Sequence, residues 1–194
     1  MRTDKHLPEL LLITPEPVAD VDGGFDTFVM RLDHALVRGI ALVQLRAKQL
    51  DAGRFDLLAA RVLNQCHARG ARLILNGPTS DAPDVYADGL HLSSERLMQC
   101  SRRMVPESKL LSAACHSEDQ LAQAARVGAD FVTLSPVLPT ASHPGAPTLG
   151  WQRFGELLAH AQVPVYALGG MSPSHSEAAR AMGAQGIAAI SALW

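Results

Sequence analysis

The chain has 194 residues, of which 47% are hydrophobic and 19% are charged, and its formal net charge is −2. This length predicts a single domain, residues 1–194, with enough apolar side chains for a sizeable core. The near balance of charges and the lack of a basic block argue against nucleic acid or an anionic membrane surface as the main partner.

The localisation prediction rests on sequence features that are missing. No apolar run reaches the ~18 residues that a membrane-spanning helix needs, and the N-terminal residues MRTDKHLPE contain no signal-peptide core. The cysteines are three in number and have no metal-type spacing, which fits a reducing compartment without disulfides. We therefore expect a soluble cytoplasmic protein.

In chain order, short apolar segments alternate with segments of helical periodicity. Continuous hydrophobic runs are typical of buried parallel strands, and they predict strands at residues 7–14, 40–48, 71–77, 88–94, 109–116, 129–137, 163–171 and 185–191. Amphipathic patterns predict helices at residues 25–38, 51–69, 95–104, 117–128 and 151–161, with a short helical run after Pro173. Residues 78–87 are expected to form a short helical or irregular link.

This alternation of strands and helices indicates an α/β protein with a parallel sheet. Eight strands favour a closed (β/α)8 TIM barrel, short for its class, with a minimal or missing eighth helix. The alternative is an open flavodoxin-like sheet, which needs about five strands. Since function in a barrel lies at the carboxyl ends of the strands, we looked for candidate site residues there.

The end of the seventh strand is the first candidate. Gly169-Gly170 allows a ligand to come close to the backbone, and Ser172-Pro173 is suited to begin a helix. The eighth strand ends nearby in Ser191, and the loops after strands seven and eight form the usual phosphate site of a barrel. The alternative is a tight turn whose glycines only relieve crowding.

The second strand ends in Gln44, Arg46 and Lys48, which share one face because side chains alternate at period two. Arginine offers a bidentate fork, and lysine a point charge, to a phosphate or carboxylate. The competing interpretation is that the two cations form surface salt bridges. Asn76 ends the third strand and is a further candidate.

Three histidines lie at or near the predicted rim. His116 ends the fifth strand, where an imidazole can shuttle protons near neutral pH or can simply be a hydrogen-bonded rim residue. His91 lies inside the fourth strand and is expected to pack against the core or the neighbouring strand. Cys115 alternates away from His116 and is interpreted as a small buried hydrophobe. His143 lies in the loop 138–149, which is long enough to be a lid.

These motifs, in their order and spacing, resemble the thiamine phosphate synthase/TenI family over nearly the whole chain. The family is a (β/α)8 barrel, as the strand count also predicts. The matching residues are the Q-x-R-x-K pattern at 44–48, Asn76, the A-D-G-x-H-L run at 87–92, the G-A-D stretch at 128–130, the Gly-Gly-Met turn at 169–171 and the G-x-x-G-I-A…S ending at 183–191.

The family has two main activities. Its synthase joins an aminopyrimidine pyrophosphate to thiazole phosphate, with Mg²⁺ held by two aspartates, and this chain has Gly77 and Arg96 at the matching positions. A fifth-strand serine of the synthase is Ala114 here, and a lysine of the long loop aligns with His143. Among the strand ends only Glu95 is acidic, so no carboxylate pair for Mg²⁺ is apparent.

The TenI branch is similar in the Asn-Gly pair at 76–77 and the Gly-Gly-Met-Ser-Pro turn at 169–173. It includes a metal-free thiazole tautomerase, which converts the exocyclic-alkene form of carboxythiazole phosphate to the aromatic tautomer and uses a histidine of the fifth strand. The resemblance therefore implies a thiazole phosphate ligand, His116 as the catalytic residue, and no cofactor, with Mg²⁺ only where synthase activity is retained.

The predicted site combines these residues. The phosphate would contact Gly169, Gly170, Ile190 and Ser191, and the rest of the substrate would contact Gln44, Arg46, Lys48, Asn76 and His143. The alternatives are a thiamine phosphate synthase and a non-catalytic module that senses a thiazole or thiamine phosphate for a partner domain. The resemblance is also compatible with a homodimer and with a longer chain in which this domain follows a Nudix hydrolase domain.

Overall fold

A computed structural model describes residues 6–20, 23–78, 86–140 and 145–194. These residues form eight parallel strands that pair in sequence order, and β1 also pairs with β8, which closes the barrel. This confirms the predicted (β/α)8 barrel and rules out the open sheet. The strands are β1 (Leu10–Ile13), β2 (Leu42–Arg46), β3 (Arg72–Asn76), β4 (Gly89–Leu92), β5 (Leu110–Cys115), β6 (Phe131–Leu134), β7 (Val165–Leu168) and β8 (Gly186–Ala189).

Six α-helices in the described residues pack around the barrel. They are α1 (Asp26–Val37), α2 (Ala52–Ala68), α3 (Ser94–Gln99), α4 (Glu118–Arg126), α5 (Gly150–Leu158) and α6 (Ser176–Ala181), and a short 3-10 turn, Pro173–His175, precedes α6. After β8 the described chain forms a turn at residues 191–193 and no helix, and Trp194 packs on Phe28 of α1 with ring centroids 4.7 Å apart.

Alternation of side chains along the strands divides the apolar residues into two layers. The inner layer fills the barrel and includes Leu11, Leu42, Ile74, Phe131 and Tyr166. The outer layer lies between the strands and the helices and is the larger of the two. The inner layer forms a packed floor, so any ligand space must lie above it, at one end of the barrel.

The starts of α2, α3 and α4 follow capping signals in the sequence. Asp51 accepts a hydrogen bond from the backbone N–H of Arg54 at 2.9 Å and begins α2. Ser93 and Ser117 make the equivalent bonds at the starts of α3 and α4. Each cap satisfies a backbone donor that the first helical turn leaves free.

The predicted boundaries were less accurate than the predicted elements. The strands are shorter than their apolar runs, because a residue can pack against the core without joining the ladder, as the partly buried Leu7 does against the inner layer. The helix predicted at 95–104 ends at Gln99, and Cys100 already has extended backbone. Beyond it, Arg103 donates to the carbonyls of Val105 and Lys109. The predicted link 78–87 lies mostly outside the described residues.

Two strand glycines are required by close backbone approach, and Gly186 gives the sharper test. A Cβ at Gly186 would lie 2.7 Å from the carbonyl carbon of Glu9, and backbone cannot move aside as a side chain can. We expect Gly186→Ala to lower the free energy of unfolding by about 3 kcal/mol, measured by urea denaturation.

Gly53 of α2 is the matched control, because the nearest atom to its added Cβ is Asp51 Oδ1 at 3.5 Å. Gly53→Ala should leave stability unchanged or raise it by up to ~1 kcal/mol. Equal effects of the two substitutions would contradict the close approach at Gly186.

Candidate active site

A cavity opens at the carboxyl ends of the strands, where the barrel rule places function. Its volume is about 680 Å³. Among the described residues that line it are Gln44, Arg46, Lys48, Asn76, His91, His116, Thr133, Ser135, Gly169, Gly170, Ile190 and Ser191. All nine described residues of the predicted site therefore line this cavity, whereas His143 lies outside the described residues.

The β2 residues differ sharply in their surroundings. Gln44 is buried, with 2% of its surface exposed. Arg46 is partly exposed and pairs with Glu16, with Nη1 of Arg46 2.9 Å from Oε2 of Glu16. Lys48 is exposed and makes no ion pair in the described part of the chain. The salt-bridge interpretation therefore holds for Arg46, and Lys48 is left as a cation that a ligand can reach.

The backbone of Arg46 is also fixed. The hydroxyl of Thr14, which is fully buried just after β1, accepts a hydrogen bond from the backbone N–H of Arg46 at 3.0 Å. This bond continues the contact between β1 and β2 by one residue beyond the strand end. Arg46 is thus held both at its backbone and at its guanidinium group.

His116 lies just after β5 on the rim of the cavity. Its Nδ1 is 2.8 Å from the backbone oxygen of Ser135, the residue after β6. A carbonyl oxygen can only accept, so Nδ1 carries the proton of the neutral ring and Nε2 keeps its lone pair. The backbone N–H of His116 donates to Gln120 at 2.7 Å. The residue is therefore a hydrogen-bonded rim histidine, and its free nitrogen is the basic one.

A layer of polar side chains forms the floor of the cavity. His91 of β4 is 5% exposed, and its Nδ1 is 2.8 Å from the Ser112 hydroxyl of β5, which agrees with the expected packing against the neighbouring strand. Burial, and secondarily the nearby charge of Lys48, lowers the pKa of His91 to about 3. Gln44 Oε1 and Thr133 Oγ1 are buried with no hydrogen-bond partner among the described residues.

Sequence reasoning missed Thr133 and Ser112. The usable signal was alternation, because Thr133 lies two residues before the rim residue Ser135 and Ser112 lies four residues before His116. Their hydroxyls were hidden within apolar strands. Cys115 was interpreted correctly, since it is fully buried in the outer layer and burial raises its pKa to about 12.

The turn after β7 has the backbone that its glycines suggest. Gly169 and Gly170 have φ of 95° and 67°, a region that favours glycine. A Cβ at Gly169 would also lie 2.8 Å from Pro136, so the glycines relieve crowding as well. In the described part of the chain, the N–H groups of Gly170 and Ser191 donate to no protein acceptor. Two backbone donors therefore remain available at the cavity.

The helix start after this turn differs from a simple serine cap. Pro173–His175 forms a 3-10 turn, and His175 Nδ1 accepts from the backbone N–H of Ser172 at 3.1 Å. The hydroxyl of Ser172 is 3.0 Å from the same nitrogen. The turn is thus closed by local contacts and presents its glycines to the cavity.

The described residues that follow β3 and β4 do not form a metal site. Gly77 has no side chain, and a Cβ there would lie 2.6 Å from Cδ2 of Phe55. The cavity lining in the described residues contains no aspartate or glutamate, and no group of three potential metal-ligating side chains occurs among them. Mg²⁺ prefers carboxylate and phosphate oxygens, so these residues do not fit it.

The fold and the site define the chain as a (β/α)8 barrel with a basic, histidine-bearing cavity at the carboxyl ends of its strands. Residues 10–193 match the family model described as thiamine monophosphate synthase, TMP-TENI. The chain therefore belongs to the thiamine monophosphate synthase/TenI family.

Individual relatives agree with this assignment. The chain is 34% identical over 186 residues to the putative thiamine-phosphate synthase 2 of Aquifex aeolicus, covering 96% of this chain and 97% of that one. It is 37% identical over 188 residues to the putative thiamine-phosphate synthase of Geobacter sulfurreducens, covering 95% and 85%. A solved thiamine phosphate pyrophosphorylase from Pyrococcus furiosus has the same fold, with a TM-score of 0.70 at 21% identity over 94% of this chain and 85% of that one.

Within residues 6–20, 23–78, 86–140 and 145–194, none of the helices combines the length and apolar character needed to cross a bilayer.

The buried imidazole of His91 makes stability depend on pH. Its pKa is about 3 in the folded protein and near 6.5 when unfolded, so the unfolded chain binds the extra proton as pH falls below 6.5. The free energy of unfolding therefore decreases as the pH falls below about 6.5, and this decrease ends near pH 3. Between pH 7 and pH 5 we expect a loss of about 2 kcal/mol from this group.

The measurement is urea denaturation of the wild type and His91→Asn at both pH values. The variant can be less stable overall, but its loss between pH 7 and pH 5 should be smaller by about 2 kcal/mol. The same pH dependence in both proteins would show that His91 is not held neutral.

Proposed function

We propose that the cavity binds a thiazole phosphate and that His116 transfers a proton on the bound ring without a metal ion. One observation carries this proposal: the described lining has two cations and a rim histidine with a basic Nε2, and no carboxylate. An anionic ring-containing ligand matches this lining in charge. A cavity of about 680 Å³ is of ordinary size for a small-molecule site.

The phosphate is assigned to the turn after β7 and the end of β8. Gly169, Gly170, Ile190 and Ser191 all line the cavity, and the N–H groups of Gly170 and Ser191 have no protein acceptor in the described chain. Free backbone donors next to glycine suit a phosphate that must approach closely. The same loops carry the phosphate site in many barrels, which adds support from the fold.

The remaining contacts follow from charge and polarity. Lys48, with Arg46 beside it, would attract the carboxylate of a carboxythiazole phosphate. Gln44 and Asn76 provide amides that can hydrogen-bond to the ring and its substituents. A ligand held at both ends would keep its ring within the cavity, where position contributes strongly to rate.

The proposed reaction is a proton shift from a ring carbon to the exocyclic carbon, and it needs one acid/base group. His116 Nε2 takes the proton from the ring carbon, and the electron pair of that C–H bond shifts through the ring towards the exocyclic carbon. The resulting imidazolium returns the proton to the exocyclic carbon, which gives the aromatic tautomer and neutral His116. No atom or electron is supplied from outside. The bond from Nδ1 to Ser135 keeps the ring in the tautomer that this step requires.

Replacing His116 tests the proton transfer. His116→Ala should reduce kcat for the tautomerisation of carboxythiazole phosphate by about 10²–10⁴-fold, while the dissociation constant for the product changes little. The assay is loss of the exocyclic-alkene substrate followed by NMR.

His160→Ala is the matched control, because His160 is an exposed histidine near α5 that contacts Glu118 outside the cavity. It should behave as the wild type. An unchanged rate in His116→Ala would remove His116 from the mechanism, and binding without turnover in the wild type would instead favour the non-catalytic sensor.

Thiamine phosphate synthase is the second candidate, and the names of the relatives favour it. That reaction implies Mg²⁺, which the described lining does not fit, since Gly77 lacks a side chain and the cavity has no carboxylate there. Asp81 and Asp84 follow β3 in the sequence but lie outside the described residues. We therefore derive no metal-dependent step.

A direct assay separates the two candidates. Wild-type protein given the aminopyrimidine pyrophosphate, thiazole phosphate and Mg²⁺ should release no pyrophosphate above the background without protein. A chelator should leave tautomerase turnover unchanged. Pyrophosphate release that requires Mg²⁺ and is lost in a double Asp81→Asn, Asp84→Asn variant would establish the synthase reading instead.

A further inference from the structure

Glu16 lies in the loop between β1 and α1, and its carboxylate contacts both Arg46, which lines the cavity, and the backbone of the loop after β2. Its Oε2 is 2.9 Å from Nη1 of Arg46, and its Oε1 accepts a hydrogen bond from the backbone N–H of Gln49 at 2.7 Å. The side chains of Glu16 and Arg46 are 19% and 32% exposed. The carboxylate thus has a defined position next to the site.

The sequence around Glu16 limits its freedom. It is flanked by Pro15 and Pro17, whose rings fix their own φ angles and restrict the residues before them. Thr14, at the start of this loop, holds the backbone of Arg46. The carboxylate and the guanidinium are therefore both held where they meet, and their pairing costs less side-chain entropy than a pairing of two free side chains.

This pairing changes the charge that a ligand meets. The described cavity lining contains one arginine, Arg46, and one lysine, Lys48. Glu16 offsets the positive charge of Arg46. A pyrophosphate beside Arg46 would have to compete with Glu16 for the guanidinium group, and its several negative charges would be repelled by the Glu16 carboxylate. A single carboxylate or phosphate on this side meets a smaller repulsion.

We propose that Glu16 determines anion specificity, admitting a phosphate or carboxylate and disfavouring a pyrophosphate. The inference rests on the proposed role of the cavity as an anion site, and it adds a residue outside the predicted set. It gives a role to the carboxylate that is fixed beside Arg46 and Lys48. Glu16 acts through Arg46 and is therefore a specificity-determining residue, with no part in the proton transfer.

The test uses inorganic phosphate and inorganic pyrophosphate as probes, with the metal ions chelated and binding measured by isothermal titration calorimetry. Glu16→Gln keeps an acceptor for the Gln49 N–H and removes the charge. We expect pyrophosphate to bind about tenfold more tightly to this variant, with phosphate changed less than about threefold. The gain should shrink as salt is raised.

Asp20→Asn is the matched control. It removes one negative charge from the same loop, and its side chain accepts from the Thr27 N–H at 3.1 Å and is not part of the cavity lining. This variant should bind both probes as the wild type does. An equal gain in Asp20→Asn would reduce the effect to general charge and overturn the proposal.

Other outcomes are equally decisive. Glu16→Gln binding both probes with an unchanged ratio would overturn the specificity role, and so would an absence of saturable binding of either probe to any variant. Tautomerase turnover is measured on a different ligand and in a separate assay, so failure of the proposed reaction is distinguishable from failure of this inference. Circular dichroism of each variant checks that the fold is retained.

Discussion

The closed ladder of eight parallel strands is the constraint on which the site depends, because alternation along each strand decides which side chains face the common axis. Cys115 and His116 are neighbours in the sequence, yet the thiol is fully buried under the helices and the imidazole lines the cavity. A shift of β5 by one residue would exchange their environments. The backbone hydrogen bonds of the barrel thus decide that His116, the candidate catalytic residue, faces the cavity.

The polar floor of the cavity opposes stability. An unsatisfied buried polar group costs about 1–3 kcal/mol, and both Gln44 Oε1 and Thr133 Oγ1 lack a partner in the described protein. His91 adds a buried imidazole that must stay neutral. The packed aromatic and aliphatic layer beneath them, including Phe131 and Tyr166, offsets this cost. Polar groups that weaken a core are expected where a ligand completes their hydrogen bonds, since local rules are usually broken at functional sites.

The fold could be predicted because each strand is an apolar run and each capped helix begins at a capping residue, as at Asp51. The site could be predicted in outline because barrel function lies at strand ends, which selected Arg46 and His116. The ion pair of Arg46 with Glu16 could not be predicted, since it joins residues 30 apart in the sequence through a loop geometry that no local pattern encodes. The tautomer of His116 likewise depends on a backbone oxygen of the next strand's end.

Packing also explains why position 77 carries no carboxylate. Phe55 of α2 is fully buried, and its ring occupies the space that a side chain at position 77 would need. A carboxylate at position 77 would therefore require a smaller residue at 55, and removing a buried phenyl ring typically costs about 3–5 kcal/mol. The helix layer thus holds position 77 as glycine. Under the proposed function, the groups among the described residues that would balance a phosphorylated ligand are side-chain cations and backbone donors, so the placement of each charge, including that of Glu16, would affect binding directly.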